Sequence, residues 1–185
     1  MAVQGFAFLE VLRQVGLIRQ QLEPQQGALI VPDAADTGAP LPELTGRAAT
    51  TLRPAHWSDY FKTNLNLIVC LTTRCLSCRS IAEELTGLAA DVRGDATIVA
   101  LVEGMSEEVQ GFMRETQLDP HLVIVDDNGA MTKRLGVSWN PGVVTVRGGE
   151  IGEAAIVNSV QQINALIYGK NMSSGKRRVK NGVPA

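Results

Sequence analysis

The sequence predicts an α/β fold: a mixed β-sheet with helices on both faces, preceded by a helical and extended N-terminal extension. Three observations carry that expectation. Two apolar runs rich in β-branched residues, "LNLIVCLTT" (65–73) and "ATIVALV" (96–102), are each followed by a stretch of helical period. A third run, "HLVIVDD" (121–127), closes on the turn Asp126-Asp127-Asn128-Gly129. Beyond it, two strand-like runs flank "RGGE" (147–150), which is a hairpin pattern. Alternating strand–helix units give parallel strands with right-handed crossovers, and the hairpin adds antiparallel strands at one side.

The elements follow in chain order. Residues 1–24 read as an apolar helix. In "AVQGFAFLEVLRQVGLI" (2–18) and just beyond it, Phe8, Leu12, Val15 and Leu22 share helical spacing. A spanning helix needs about 20 apolar residues. Gln4, Glu10, Arg13 and Gln14 interrupt this one, and a central charge costs about 2.5–3.5 kcal/mol on insertion scales. The stretch also lacks the basic start and small-residue cleavage site of a signal peptide. The expectation is a helix lying on a membrane surface, on a partner, or on its own domain. Residues 25–57 form an extended connector: 23–54 hold five of the eight prolines, with short strands expected at 28–31 and 47–51. Ser58 is expected to cap a helical turn over 58–62.

The regular core spans 58–168. The strand 65–73 leads into a helix with Ile81, Leu85, Leu88, Ala89 and Val92 inward, stopping near Gly94. The strand 96–102 leads to a helix with Ser106 as N-cap, Glu107 and Glu108 in its first turn, Val109, Phe112 and Met113 inward, and Pro120 ending it. The strand 121–127 and a short helix over 131–135 come next. The hairpin 143–146 and 151–157 follows, and then a helix capped by Asn158 or Ser159 with Val160, Ile163, Leu166 and Ile167 inward. Residues 169–185 carry five cations and no acid among turn formers, and read as a disordered, solubilising tail.

Composition narrows the function. With 45% hydrophobic and 19% charged residues the chain is of ordinary globular type, and a formal net charge of −2 gives no drive toward nucleic acid. Three cysteines, an odd number, exclude a fully paired secreted framework. Two of them stand in "LTTRCLSCRSIAEEL" (71–85), three apart, where a buried strand ends and a helix begins. They could be a redox pair, half of a zinc site, or two small apolar residues. Zinc wants four ligands, usually two such pairs. Here Cys70 and one of two histidines, His56 or His121, would have to complete the set, and Cys70 lies inside the strand.

The strand–helix junction favours redox chemistry. Backbone N–H groups and the helix dipole stabilise a thiolate at a helix start, and Arg74 adds a neighbouring cation. Cys75 is the expected nucleophile, and Cys78, one turn into the helix, the resolving thiol. No metal and no dissociable cofactor is expected. In "WNPGVV", Pro141 opens the hairpin, where an X–Pro bond reaches cis at a cost of only about 0.5–1 kcal/mol. A cis Asn140–Pro141 bond is expected, offering the Asn140 backbone to an extended peptide. A peroxidase with one attacking cysteine would fit the fold class but would not need Cys78. A non-catalytic binding or chaperone-like module is the other alternative.

Strand, "CLSC" at a helix start, two strand–helix units and "WNP" before a hairpin together resemble the thioredoxin fold over 58–168. Within it the sequence is similar to thiol–disulfide oxidoreductases of the TlpA type, and most similar to the thioredoxin-like protein of methylamine-utilisation clusters. "LRQVGLIRQQLEPQQGAL" (12–29) resembles the segment that in that family follows a membrane helix. The resemblance implies thiol–disulfide exchange with a protein substrate and a redox partner, in disulfide formation or maturation of another protein. It implies a place on the extracytoplasmic face of the bacterial cytoplasmic membrane, with 1–24 a shortened counterpart of the anchor; residues 2–18 taken alone also allow a soluble cytoplasmic protein. The sequence departs from thioredoxins proper at Arg74, where they carry tryptophan, and at Leu76-Ser77, which lacks proline.

Overall fold

The computed structural model describes residues 28–31 and 36–169, so the expectations for 1–27 and for the tail beyond Gly169 lie outside the described residues. Among the described residues seven strands form one sheet: β1 (Leu29–Ile30), β2 (Arg47–Ala48), β3 (Leu65–Thr72), β4 (Thr97–Glu103), β5 (Val123–Asp126), β6 (Gly142–Arg147) and β7 (Glu150–Ile156). Their order is β1-β7-β6-β3-β4-β5-β2. β3, β4 and β5 run parallel, β6 is antiparallel to β3, and β6 and β7 form the hairpin. Both connector strands join the sheet. β1 pairs with β7 at one edge and β2 with β5 at the other.

Among the described residues five helices cover the sheet: α1 (Trp57–Tyr60), α2 (Leu76–Asp91), α3 (Ser106–Thr116), α4 (Ala130–Arg134) and α5 (Val160–Tyr168). Because β3 is buried on both sides, its side chains divide by the strand period. Leu67, Val69 and Leu71 meet α2, α3 and α5 through Ile81, Leu85, Val109, Phe112, Ile163 and Leu166. Ile68 and Cys70 face the opposite core with Met131, Leu135 and Ile124, against which Trp57 and Phe61 pack. Each fully buried Leu or Ile contributes about 1.5–3 kcal/mol relative to exposure, so the central strand anchors two cores at once.

The helix starts differ from expectation in an instructive way. Met105, not Ser106, is the N-cap of α3, and its N–H is taken by the Glu108 carboxylate at 3.1 Å. Ser106 is the first helical residue, and its Oγ accepts from Arg47 Nη2 at 2.9 Å. α3 stops at Gln117, in left-handed conformation with φ 56°, ahead of Pro120. Pro120 instead opens a single 3₁₀ turn, Pro120–Leu122, so β5 starts at Val123 rather than at residue 121. α1 is capped from His56, whose N–H donates to Asp59 at 3.2 Å, rather than from Ser58. At both helix starts an acidic side chain three residues on satisfies the free N–H, and at Ser106 a distant partner also claims the hydroxyl that would have done so.

Candidate functional site

Where β3 ends, Cys75 takes the N-cap position of α2 with extended backbone (φ −106°, ψ 124°). Its Sγ accepts the N–H of Cys78 at 3.3 Å, the bond an N-cap side chain supplies to the first turn. Cys75 is half-buried, whereas Cys78 and Cys70 are fully buried. The helix start therefore presents one sulfur outward and holds the second behind it.

Strand pairing brings the third part of the site. β3 and β6 run antiparallel with Cys70 opposite Gly142, so the residues just past the end of β3 meet those just before β6. Asn140 and Pro141 arrive beside Cys75 across 65 residues of chain, and the Cys75 thiol points to the Asn140 carbonyl oxygen at 3.8 Å. The Asn140–Pro141 peptide bond is cis. Sequence pattern thus placed Cys75, Cys78, Asn140 and Pro141, and the fold gathers all four.

Arg74 is turned outward, its side chain 80% exposed, with Nη2 3.5 Å from Glu108 Oε1. It thus pairs with the first turn of α3. Burial pushes the Cys78 thiol up to about 12, with the hydrogen bond to Cys75 adding to it. Burial likewise raises Cys70 to about 12; the Asp126 carboxylate contributes, and a hydrogen bond with Thr132 opposes. Both buried sulfurs hold their protons at neutral pH. Among the described residues no group of three His, Cys, Asp or Glu side chains is arranged to hold a metal ion.

No family model and no curated protein sequence matches the chain. Solved structures do. A secreted disulfide oxidoreductase of Mycobacterium tuberculosis, homologous to Escherichia coli DsbE, superposes with a TM-score of 0.55 at 18% identity, covering 68% of this chain and 95% of that one. A DsbF homologue from Corynebacterium diphtheriae gives a TM-score of 0.60 at 15% identity over 80% and 96%. A thiol:disulfide interchange protein of the thioredoxin family from Chlorobium tepidum gives 0.57 at 15% identity over 71% and 95%. The fold is thioredoxin-like.

On this thioredoxin-like frame the described residues also form a feature that the sequence pattern did not mark. A cavity of about 410 Å³ shares Asn140 with the surroundings of Cys75; it is lined by the buried or half-buried Glu103, Thr132, Val137 and Asn140 and by the exposed Lys133 and Ser138. Its residues come from the end of β4, from α4 and from the loop before β6, three segments distant in sequence. No local spacing could have joined them. Among the described residues no helix is long and apolar enough to cross a membrane.

Proposed function

We propose that the chain is a thiol–disulfide oxidoreductase acting on protein substrates through Cys75 and Cys78. The observation that carries this reading is the half-buried Cys75 sulfur at a helix N-cap. It has Cys78 one turn behind it and the Asn140 carbonyl at 3.8 Å. In the reducing direction, the Cys75 thiolate attacks a substrate disulfide. A Cys75–substrate bond forms as the substrate S–S bond breaks, and the departing sulfur takes up a proton. Cys78 then gives up its proton and attacks Cys75 Sγ. The Cys75–Cys78 disulfide forms and the second substrate sulfur leaves as a thiol. Two electrons and two protons have moved from the pair to the substrate; run backwards, the same steps oxidise a dithiol.

Arg74 lends positive charge to the Cys75 thiolate, tempered by Glu108. Asn140 and Pro141 line the groove in which an extended substrate lies. The DsbE- and DsbF-like neighbours support exchange with protein substrates, and the secreted one among them supports a place outside the cytoplasm. The sequence resemblance supports the finer assignment of a TlpA-type protein in maturation of a partner protein, and the apolar but charge-interrupted residues 2–18 support association with a membrane peripherally or through a partner. Titration of the reduced chain against glutathione buffers tests the reading. The expected result is one two-electron transition between dithiol and disulfide, lost in both Cys75→Ser and Cys78→Ser. Absence of any Cys75–Cys78 disulfide across the range would overturn it.

A further inference from the structure

Three acids at this end of the sheet are engaged. Glu108 meets Arg74 and accepts the Met105 N–H. Asp127 holds Arg47 through both carboxylate oxygens, at 2.7 and 2.9 Å. Asp126, fully buried, accepts from Met131 N, Thr132 N and Thr132 Oγ1 at 2.7–2.9 Å. The Glu103 carboxylate makes no hydrogen bond or ion pair with any described residue, although its residue is half-buried. It rests over Gly129, where a Cβ would come within 2.9 Å of its Cδ and 3.1 Å of each oxygen. The glycine makes room for a carboxylate that nothing in the described chain neutralises.

Glu103 and Asn140 both line the cavity described above. Asn140 Oδ1 is buried without a hydrogen-bond partner, while the same residue's carbonyl lies 3.8 Å from Cys75 Sγ. Lys133, the cation among the lining residues, points its Nζ at the Asn128 carbonyl at 3.4 Å. The Glu103 carboxylate, an acceptor without a partner among the described residues, thus lines a cavity that shares Asn140 with the surroundings of Cys75. A charged donor entering the cavity would give that carboxylate the strong, charge-assisted partner it lacks.

We infer that this cavity is a specificity subsite for a basic side chain, Lys or Arg, flanking the reactive cysteine of the protein substrate, with Glu103 as the residue that reads its charge. The inference rests on the exchange reading given above and adds the class of substrate. A volume of about 410 Å³ lies in the range of small-molecule sites and admits one long side chain entering past Ser138. Attraction in this partly enclosed site favours encounter and orientation of the basic residue, and discriminates against an acidic one.

The test uses the full chain and peptides whose single cysteine is disulfide-bonded to thionitrobenzoate. Cys75 attacks the peptide sulfur, the mixed bond breaks, and thionitrobenzoate leaves as a coloured thiolate. The residue flanking the cysteine, on each side in turn, is Lys, norleucine or Glu. The expected result is release roughly tenfold faster from the Lys peptide than from the norleucine peptide on one side. That advantage shrinks as ionic strength rises from about 0.01 M to about 1 M, where the screening length falls from about 30 Å to about 3 Å. Glu103→Gln brings the Lys-to-norleucine ratio to one, and Glu103→Lys turns the preference toward the Glu peptide. Equal rates from all peptides in the unaltered chain, or an unchanged ratio in Glu103→Gln, would overturn the subsite and leave the exchange reading standing. No Cys75-dependent release from any peptide would overturn both.

Discussion

Cys75 and Cys78 lie one helical turn apart and differ in what reaches them. Cys75 is half-buried, while Cys78 and Cys70 are closed off from solvent and hold their protons at neutral pH. Brief alkylation of the reduced chain should therefore label Cys75 first, with Cys70 and Cys78 protected. Peptide mass mapping reads the order, and early labelling of Cys70 would contradict its place inside β3. The same burial makes stability depend on pH. Unfolded thiols titrate near about 8.5, whereas folded Cys70 and Cys78 titrate near about 12. Between those values the folded state binds more protons, so the stability of the reduced chain falls as pH rises, by at most about 1.4 kcal/mol per unit for each thiol. Urea midpoints of the reduced chain should fall from about pH 8.5 upward, and Cys70→Ala should show a smaller slope. An equal slope in that variant would remove Cys70 from the account. At this scale the sequence was informative about position: a C-x-x-C at a strand–helix junction and a proline before a hairpin mark their own places. It was silent about partners. The pairing of Arg74 with Glu108, the three bonds closed by Asp126 and the lack of any for Glu103 depend on loops that meet only in three dimensions.

Among the elements, β2 shows how a weak local pattern becomes a fixed strand. Only Arg47–Ala48 is regular. It is held to β5 by backbone pairing and by the Arg47 guanidinium, which bonds Asp127 on both carboxylate oxygens and Ser106 at the start of α3. Gly46, just before it, passes close to β5: a Cβ there would run into Ile124 Cγ2 and lie 2.9 Å from Val125 O. Gly46→Ala should cost about 1–3 kcal/mol, the usual range for overpacking, because β2 must lift from β5. The check is a lower urea midpoint at unchanged slope; an unaltered midpoint would mean that β2 moves aside freely. Long periodic elements such as α2 and the hairpin were legible because many residues vote for one period. Their ends were not. Ser106 and Ser58 have good N-cap chemistry, yet Met105 and His56 take those positions because Glu108 and Asp59 close the first turns from within. Pro120 was expected to end α3, but Gln117 turns the chain three residues earlier.

At the scale of the whole molecule, the two strand–helix units and the hairpin required a mixed sheet with β3 at its centre, and right-handed connection leaves few other arrangements. Burial on both sides of β3 follows from its unbroken apolar run. What composition could not show is that the proline-rich connector closes the sheet. β1 covers the outer side of β7 and β2 the outer side of β5, so neither hairpin edge nor parallel edge is left bare. The connector also supplies Leu44 and Ala55 to the second core and sends the Pro42 carbonyl to the Trp57 indole N–H at 2.9 Å. An open edge exposes unpaired N–H and C=O groups that recruit another chain. A chain beginning at residue 58 would retain the cysteines, the hairpin and all helices after α1, but would bare both edges and part of one core. It should melt at lower temperature than the full chain and scatter light as oligomers at concentrations where a chain beginning at residue 28 stays monomeric. Light scattering after size separation, with thermal melts of both, makes the comparison. If the chain from residue 58 is monomeric and as stable as the chain from residue 28, the edge strands are ornaments of the fold rather than part of what keeps it folded and alone.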